Sequence, residues 1–163
     1  MSAVEASERL IDLVRANPDL ANHAEGCDEL TVATAERVLG IPFPPSCRRL
    51  IEEFGTWDIA GEEFFGVYRT PALGKELLGS VMETLSARDQ YGMPADLIVV
   101  MSDGMGGLVV LDSSQVDEVA ESPVRVWNPG VPDRGSMETL GENFGLFALD
   151  LCQRAVTRWR EGS

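Results

Sequence analysis

Leu10, Ile11 and Val14 fall at helical spacing and predict a helix over residues 7–17, stopped by Asn17-Pro18. A second helix is predicted from Thr31, as its N-cap, to Leu39, with Gly40 where a C-terminal glycine belongs. In IPFPPSCRRLIEEFG, Pro44 and Pro45 suit the first turn of a third helix, Leu50, Ile51 and Phe54 form its apolar stripe, and Gly55 ends it. The pattern then changes. Trp57 to Arg69 is aromatic and β-branched and is broken by Gly61 and Gly66, which predicts two short strands with a turn. A fourth helix is expected over 74–88 with Leu77, Leu78, Val81, Met82 and Leu85 on one face. Strands are expected over 97–101, 108–112 and 124–127, the last closed by Asn128-Pro129-Gly130. A final helix begins near Asn143, carries Phe144, Phe147, Leu151, Val156 and Trp159, and gathers Arg154, Arg158 and Arg160 toward its C-terminal end, where cations offset the helix dipole. The stretch from Asn128 to Glu142 is the longest expected irregular segment, and no repeat or linker divides the chain. This order of helices and strands predicts an α+β fold: one domain with a mainly antiparallel sheet flanked by helices.

One stretch raises a chemical question. LIVVMSDGMGGLVVLD, at 97–112, sets Ser102, Asp103, Gly104, Met105, Gly106 and Gly107 between two saturated apolar runs. A dinucleotide fingerprint would need glycine where Val109 stands, and a Walker loop would need a lysine after the last glycine. The segment also does not run from strand into helix, so no helix N-terminus is aimed at a phosphate. A calcium loop would need further oxygen ligands at alternate positions and a closing Glu. What remains is a tight hairpin. Its glycines supply positive φ angles and Asp103 folds its carboxylate onto nearby amides, while Asp112 reads as a strand-end residue bonding loop amides.

Composition narrows the function classes. The chain has 163 residues, 44% of them hydrophobic, enough for one domain with a substantial core. No apolar run approaches the roughly 20 residues of a bilayer span, and MSAVEASERL lacks the basic start and apolar stretch of a signal peptide, so a soluble, cytoplasmic protein is expected. Cys27, Cys47 and Cys152 are odd in number and without CxxC spacing or a histidine pair, and are expected to be buried fillers; no metal and no cofactor is implied. Thirteen basic and 27 acidic residues give a net charge of −14. Such a field repels nucleic acid and anionic membranes and attracts cationic partners, although acidity alone also serves solubility. The single histidine, His23, lies in a polar stretch without a visible partner, and Glu62-Glu63 sits on a strand, where neighbouring side chains point to opposite faces. The aromatic residues, from Trp57 and Phe64 to Phe147 and Trp159, are distributed like core residues and are not interleaved with Lys and Arg. No catalytic constellation emerges.

The order of these pieces resembles the SUKH superfamily, named for a fungal cell-wall-synthesis regulator of the Smi/Knr type. The resemblance is carried by AERVLGIPFPPSCRRLIEEFG at 35–55, FFGVYR at 64–69, the hairpin at 97–112, PVRVWNPG at 123–130 and ENFGLFALDL at 142–151. Its marks are Leu39, Gly40, Pro44, Gly55, Gly66, Asp103, Gly104, Gly106, Asp112, Trp127, Pro129, Gly130 and Phe144; Pro45-Ser46-Cys47 departs from it where an aromatic residue is common. It implies a SUKH-like domain over 31–160, with residues 1–30 as a helical extension packed on it. It also implies a binding protein rather than an enzyme. Bacterial members are typically encoded beside a secreted or contact-delivered toxin, often a nuclease or deaminase, and protect the cell by binding it; the fungal relatives imply the alternative of a regulatory or scaffold module. With a basic cognate toxin as the implied partner, the carboxylates expected to touch it are Glu62, Glu63, Asp103, Asp117, Glu118 and Glu121.

Overall fold

The computed structural model describes residues 1–130 and 137–162. The Ser2 hydroxyl accepts the amide of Glu5 at 3.1 Å and starts α1 (Ala3–Ala16), which buries Leu10, Ile11 and Val14. A short strand follows, β1 (Ala21–His23). Asp28, not Thr31, caps α2 (Glu29–Leu39): its carboxylate accepts the Thr31 amide at 2.8 Å, and a charged acceptor also meets the positive end of the helix dipole. Gly40 closes α2 in the left-handed region, at φ 76°. Pro44 precedes and Pro45 opens α3 (Pro45–Phe54), which Gly55 ends.

Two strands, β2 (Trp57–Ile59) and β3 (Glu62–Phe64), form a hairpin to which β1 adds in the order β1-β2-β3, and β4 (Val67–Tyr68) pairs with β5 (Leu78–Gly79). After α4 (Ser80–Tyr91), the strands β6 (Leu97–Ser102), β7 (Leu108–Asp112), β8 (Val124–Trp127) and β9 (Glu138–Gly141) form a meander, and α5 (Phe144–Gly162) ends the chain. Every pairing among the described residues is antiparallel. The protein is a single α+β domain.

The two saturated apolar runs follow from burial on both faces of the meander. Ile98, Val109, Leu111 and Val124 join the main core with α1, α2, α3 and α5, whereas Leu97, Val99, Val110 and Trp127 form a second cluster with Ala87 of α4 and Met93. A strand covered on both sides shows no alternation. The register of β6 against β7 slips between Val99 and Met101. Val100 is the extra residue of this bulge, so Val100 and Met101 both reach the main core. The Val100 carbonyl accepts the Phe65 amide at 3.0 Å, joining the three-stranded sheet to the meander. A Cβ on Gly66, at φ 56°, would overlap the Gly55 carbonyl, which itself accepts the Val67 amide at 2.8 Å. These two glycines let the segment after β3 cross the end of α3 at contact distance.

Four further expectations need correction. The fourth helix begins at Ser80 rather than near residue 74, because Leu78 pairs with Tyr68 and Gly79 takes φ 76°. Its buried face is Ser80, Val81, Thr84 and Ala87, while Met82 and Leu85 are each 38% exposed. The two hydroxyls face β6 because they complete its backbone: Thr84 Oγ1 accepts the Val99 amide at 2.9 Å, and Ser80 Oγ donates to the Val99 carbonyl. Trp159 lies on α5 but is 56% exposed and is not a core residue, since the buried face runs through Phe144, Ala148, Leu149, Cys152 and Ala155. The stretch from Asn128 to Glu142 is not wholly irregular, as it contains β9; residues 131–136 within it lie outside the described residues.

Replacing Thr84 by Val keeps the shape and removes the acceptor, stranding the buried Val99 amide. Thr84→Val is expected to lower the unfolding free energy by about 1–3 kcal/mol, whereas Met82→Ser and Leu85→Ser are expected to stay within about 0.5 kcal/mol of the parent. Urea unfolding measures both, and the opposite ranking would restore the apolar stripe as the buried face.

Candidate partner-binding surface

Between the tip of the β6-β7 hairpin, β9 and the first turns of α5 runs a groove of ≈ 580 Å³. Its floor is apolar: Met101 and Val109 from the meander, Leu140 from β9, and Leu146, Phe147 and Leu151 from α5. Positions 146, 147, 150, 151 and 154 fall on one face of α5, so the helix supplies floor and rim together. Asn143 fixes where that helix starts, its side-chain oxygen accepting the Leu146 amide at 2.9 Å. Among the described residues the rim carries Glu62, Asp103, Glu142 and Asp150 with Arg154, which pairs with Asp150 at 3.0 Å.

The six carboxylates expected to touch a partner separate into distinct environments. Glu62 and Glu63 point to opposite faces of β3, as their strand requires. Glu62 shares a face with Ile59, reaches the groove, and lies 3.9 Å from Arg158 with its side chain 25% exposed. Glu63 is exposed and directly opposite Asp58 on β2. Like charges in register repel across a sheet, so this outer face is a second acidic feature. Asp103 is half-buried rather than free at the hairpin tip: Oδ1 accepts the amides of Met105 at 2.7 Å and Gly107 at 2.8 Å. Gly104 and Gly106 turn the chain there with φ of 79° and 92°. Asp117 and Glu118 are exposed on the β7-β8 connection and are not lining residues of the groove.

Glu121 is withdrawn from the surface altogether. It is 1% exposed, and its carboxylate accepts the Ser46 amide at 2.8 Å and the Ser46 hydroxyl at 2.7 Å. It therefore acts as a remote N-terminal cap for α3, where Pro44 offers no side-chain acceptor. Ser46 Oγ also accepts the Gly145 amide at 3.0 Å, so one cluster ties the β7-β8 connection, α3 and α5 together. Asp117 holds the approach by accepting the amides of Val119 and Glu121, each at 2.9 Å. Burial pushes the Glu121 carboxyl above its ordinary range, against the pull of the Ser46 hydrogen bonds. Asp112 is buried too: Oδ1 accepts the Ser114 amide at 3.1 Å and hydroxyl at 2.6 Å, and Oδ2 lies 3.2 Å from Arg125 Nε.

Sequence reasoning missed Leu140, Glu142, Leu146 and Asp150. The helical repeat in ENFGLFALDL could have shown that Phe147 and Leu151 share a face with Asp150, but not that the floor stays open. For nucleophilic or acid-base chemistry the arrangement offers little. His23 lies tilted against Phe54 with ring centroids 4.6 Å apart and its Nδ1 lies 2.7 Å from the Ala24 carbonyl oxygen. Burial pushes the thiols of Cys47 and Cys152 far up, and that of Cys27 up, which keeps them protonated. Among the described residues no group of three His, Cys, Asp or Glu side chains could hold a metal ion, and no helix is long and apolar enough to cross a membrane.

The acid-rimmed groove of this α+β domain is its candidate binding site. A family model described as SUKH_5, SMI1-KNR4 cell-wall, matches residues 7–153, and the chain belongs to that SUKH family. The match begins inside α1 and takes in β1, which pairs with β2. SUKH domains are generally non-catalytic immunity or regulatory modules. No curated protein matches the chain.

The Glu121 cluster has a testable pH signature. A carboxyl whose folded value is raised holds its proton longer in the folded chain, so stability falls as pH rises from the ordinary value of 4.5 toward the folded value. Glu121→Gln does not titrate and is expected to gain on the parent as pH is raised through that window. Glu121→Ala leaves the Ser46 amide and hydroxyl without their acceptor and is expected to lose about 1–3 kcal/mol relative to Gln at every pH. Chemical unfolding of the three proteins from pH 4 to 8 separates these outcomes; a parent and Gln variant running parallel would remove the raised carboxyl.

Proposed function

We propose that the protein is a cytoplasmic immunity protein that binds a cognate bacterial toxin, of the nuclease or other nucleic-acid-acting kind, and neutralises it by occluding its active surface. SUKH membership together with a net charge of −14 is the observation that carries this reading. Toxins that act on nucleic acid present basic surfaces to phosphates, and an acidic protein gains both steering and complementarity from that contrast. The partner is a protein, with neither nucleic acid nor membrane expected to bind so acidic a surface. No cofactor and no catalytic step enters the proposal. The carboxylates that support it are Glu62 and Asp103 at the groove, Glu63 beside Asp58, and Asp117 and Glu118 on the β7-β8 connection.

The family description, which names a cell-wall regulator, favours a second reading: a regulatory or scaffold module that docks on a cellular protein without neutralising anything. Co-expression with the product of the adjacent gene decides between them. Rescue of cells from that product supports immunity, and an innocuous neighbour or failed rescue favours the scaffold. In the immunity case, association is expected to slow as salt is raised. Charge reversal of Glu62 with Glu63, and separately of Asp117 with Glu118, is expected to reduce the association rate constant severalfold for whichever pair faces the toxin. If both pairs left the rate constant and its salt dependence unchanged, the electrostatic part of the proposal would be wrong.

A further inference from the structure

The groove beside α5 has two properties that one kind of ligand satisfies together. Its floor exposes apolar side chains that the rest of the core leaves uncovered, with Leu140 at 38% exposure the most open of the large ones. Among the described residues its rim carries four carboxylates, two of them beside surface arginines: Asp150 pairs with Arg154 at 3.0 Å and Glu62 lies 3.9 Å from Arg158. A polyamine would meet the charge and leave the floor wet, whereas an anionic apolar ligand would meet the floor and be repelled at the rim. A nucleic acid fails on the same repulsion.

We propose that this groove is the docking site for a basic protein segment in which Lys or Arg alternates with large apolar residues. The apolar side chains seat against Leu140, Leu146 and Phe147, and the cations meet Asp103, Glu142 and Glu62. Alternation matters because floor and rim lie side by side along the groove. In an extended segment neighbouring side chains point apart, one set inward and the other toward the edges. Asp103 is held by two amides of its own turn, so its position is set before a ligand arrives, which lowers the ordering cost of binding. The ion pair of Arg154 with Asp150 is on the surface and weak, so an incoming cation can displace the arginine. The α2-α4 surface, where Val38, Met82 and Leu85 are exposed, lacks such a charge rule and is the contrasting site.

The proposal rests on the protein-binding reading above and specifies its surface. The test uses the full chain, isotopically labelled, and the acetylated and amidated peptide Lys-Leu-Arg-Phe-Lys as probe. Two controls are Glu-Leu-Glu-Phe-Glu and Lys-Ser-Arg-Ser-Lys. Amide shifts are expected to cluster at Ser102, Gly141, Glu142, Leu146 and Asp150 with the first peptide, and each control is expected to bind about tenfold more weakly or worse. The double variant Leu140→Ser with Glu142→Gln, at the open rim, is expected to weaken the first peptide about tenfold while leaving amide positions elsewhere unchanged. Shifts centred on the α2-α4 surface or on Asp117 and Glu118, equal binding of the serine control, or no binding of the first peptide would each overturn the groove assignment. The same double variant in the co-expression experiment separates the two levels. Rescue by the parent that the variant matches in full removes the groove and keeps the immunity function; absence of rescue by the parent removes the function, and the peptide titration still decides the groove.

Discussion

A strand buried on both faces must place every backbone polar group that its paired neighbour does not take, since water is unavailable to it. β6 is that strand, and the rest of the domain is arranged around its solution. On the side away from β7, Thr84 receives the Val99 amide, Ser80 donates to the Val99 carbonyl, and the bulge at Val100 frees a carbonyl for the Phe65 amide. The first two bonds fix the rotation of α4, turning Ser80 and Thr84 inward and leaving Met82 and Leu85 toward solvent. The third joins the small sheet to the meander. That junction carries Glu62 to the side of α5 and closes one end of the acid-rimmed groove. The shape of the candidate surface is thus a consequence of backbone satisfaction in the core.

Elements whose ends are set by local chemistry were legible in the sequence. Gly40, Pro45 and Gly55 bound α2 and α3 where turn and capping rules place them, and Asp103 with Gly104 and Gly106 makes the expected hairpin. The α+β class followed from the order of such elements. The register of α4 was not legible, because an inward hydroxyl reads as polar, and its partner amide lies on another element 15 residues away. β1 and β9 escaped for a different reason. Ala21-Asn22-His23 and Glu138 to Gly141 are largely exposed, held by backbone pairing with β2 and β8, and carry no apolar alternation to betray them.

The candidate site was legible only in part, and the acidic residues show why. Composition treats Glu62, Glu121 and Asp112 alike, yet their environments differ entirely. Glu121 is drawn inside because α3 begins at a proline with no side-chain cap, and Ser46 provides two donors for a carboxylate arriving from 75 residues away. Asp112 is inside because Ser114 and Arg125 surround it. Glu62 stays partly open: Arg158, which stands 3.9 Å from it, is itself largely solvated. Whether a carboxylate is surface charge or structural glue depends on donors distant in sequence, which no local pattern records.

Burying Glu121 and Asp112 also clarifies what the net charge of −14 can do. Charges spread over the surface act together at long range, but in salt near 0.15 M each is screened within about 8 Å. For the proposed basic partner the total therefore governs how fast it arrives, not where it sits. Register must come from carboxylates held next to apolar surface, where water is displaced on contact and the local dielectric falls. In this fold that condition is met where α5 lays Leu146, Phe147 and Leu151 beside Asp150, with Glu142 just before the helix, facing an Asp103 already fixed by its own turn. On the proposed reading, acidity spread over the chain and acidity gathered at the groove are thus separate devices, one acting on encounter and the other on fit.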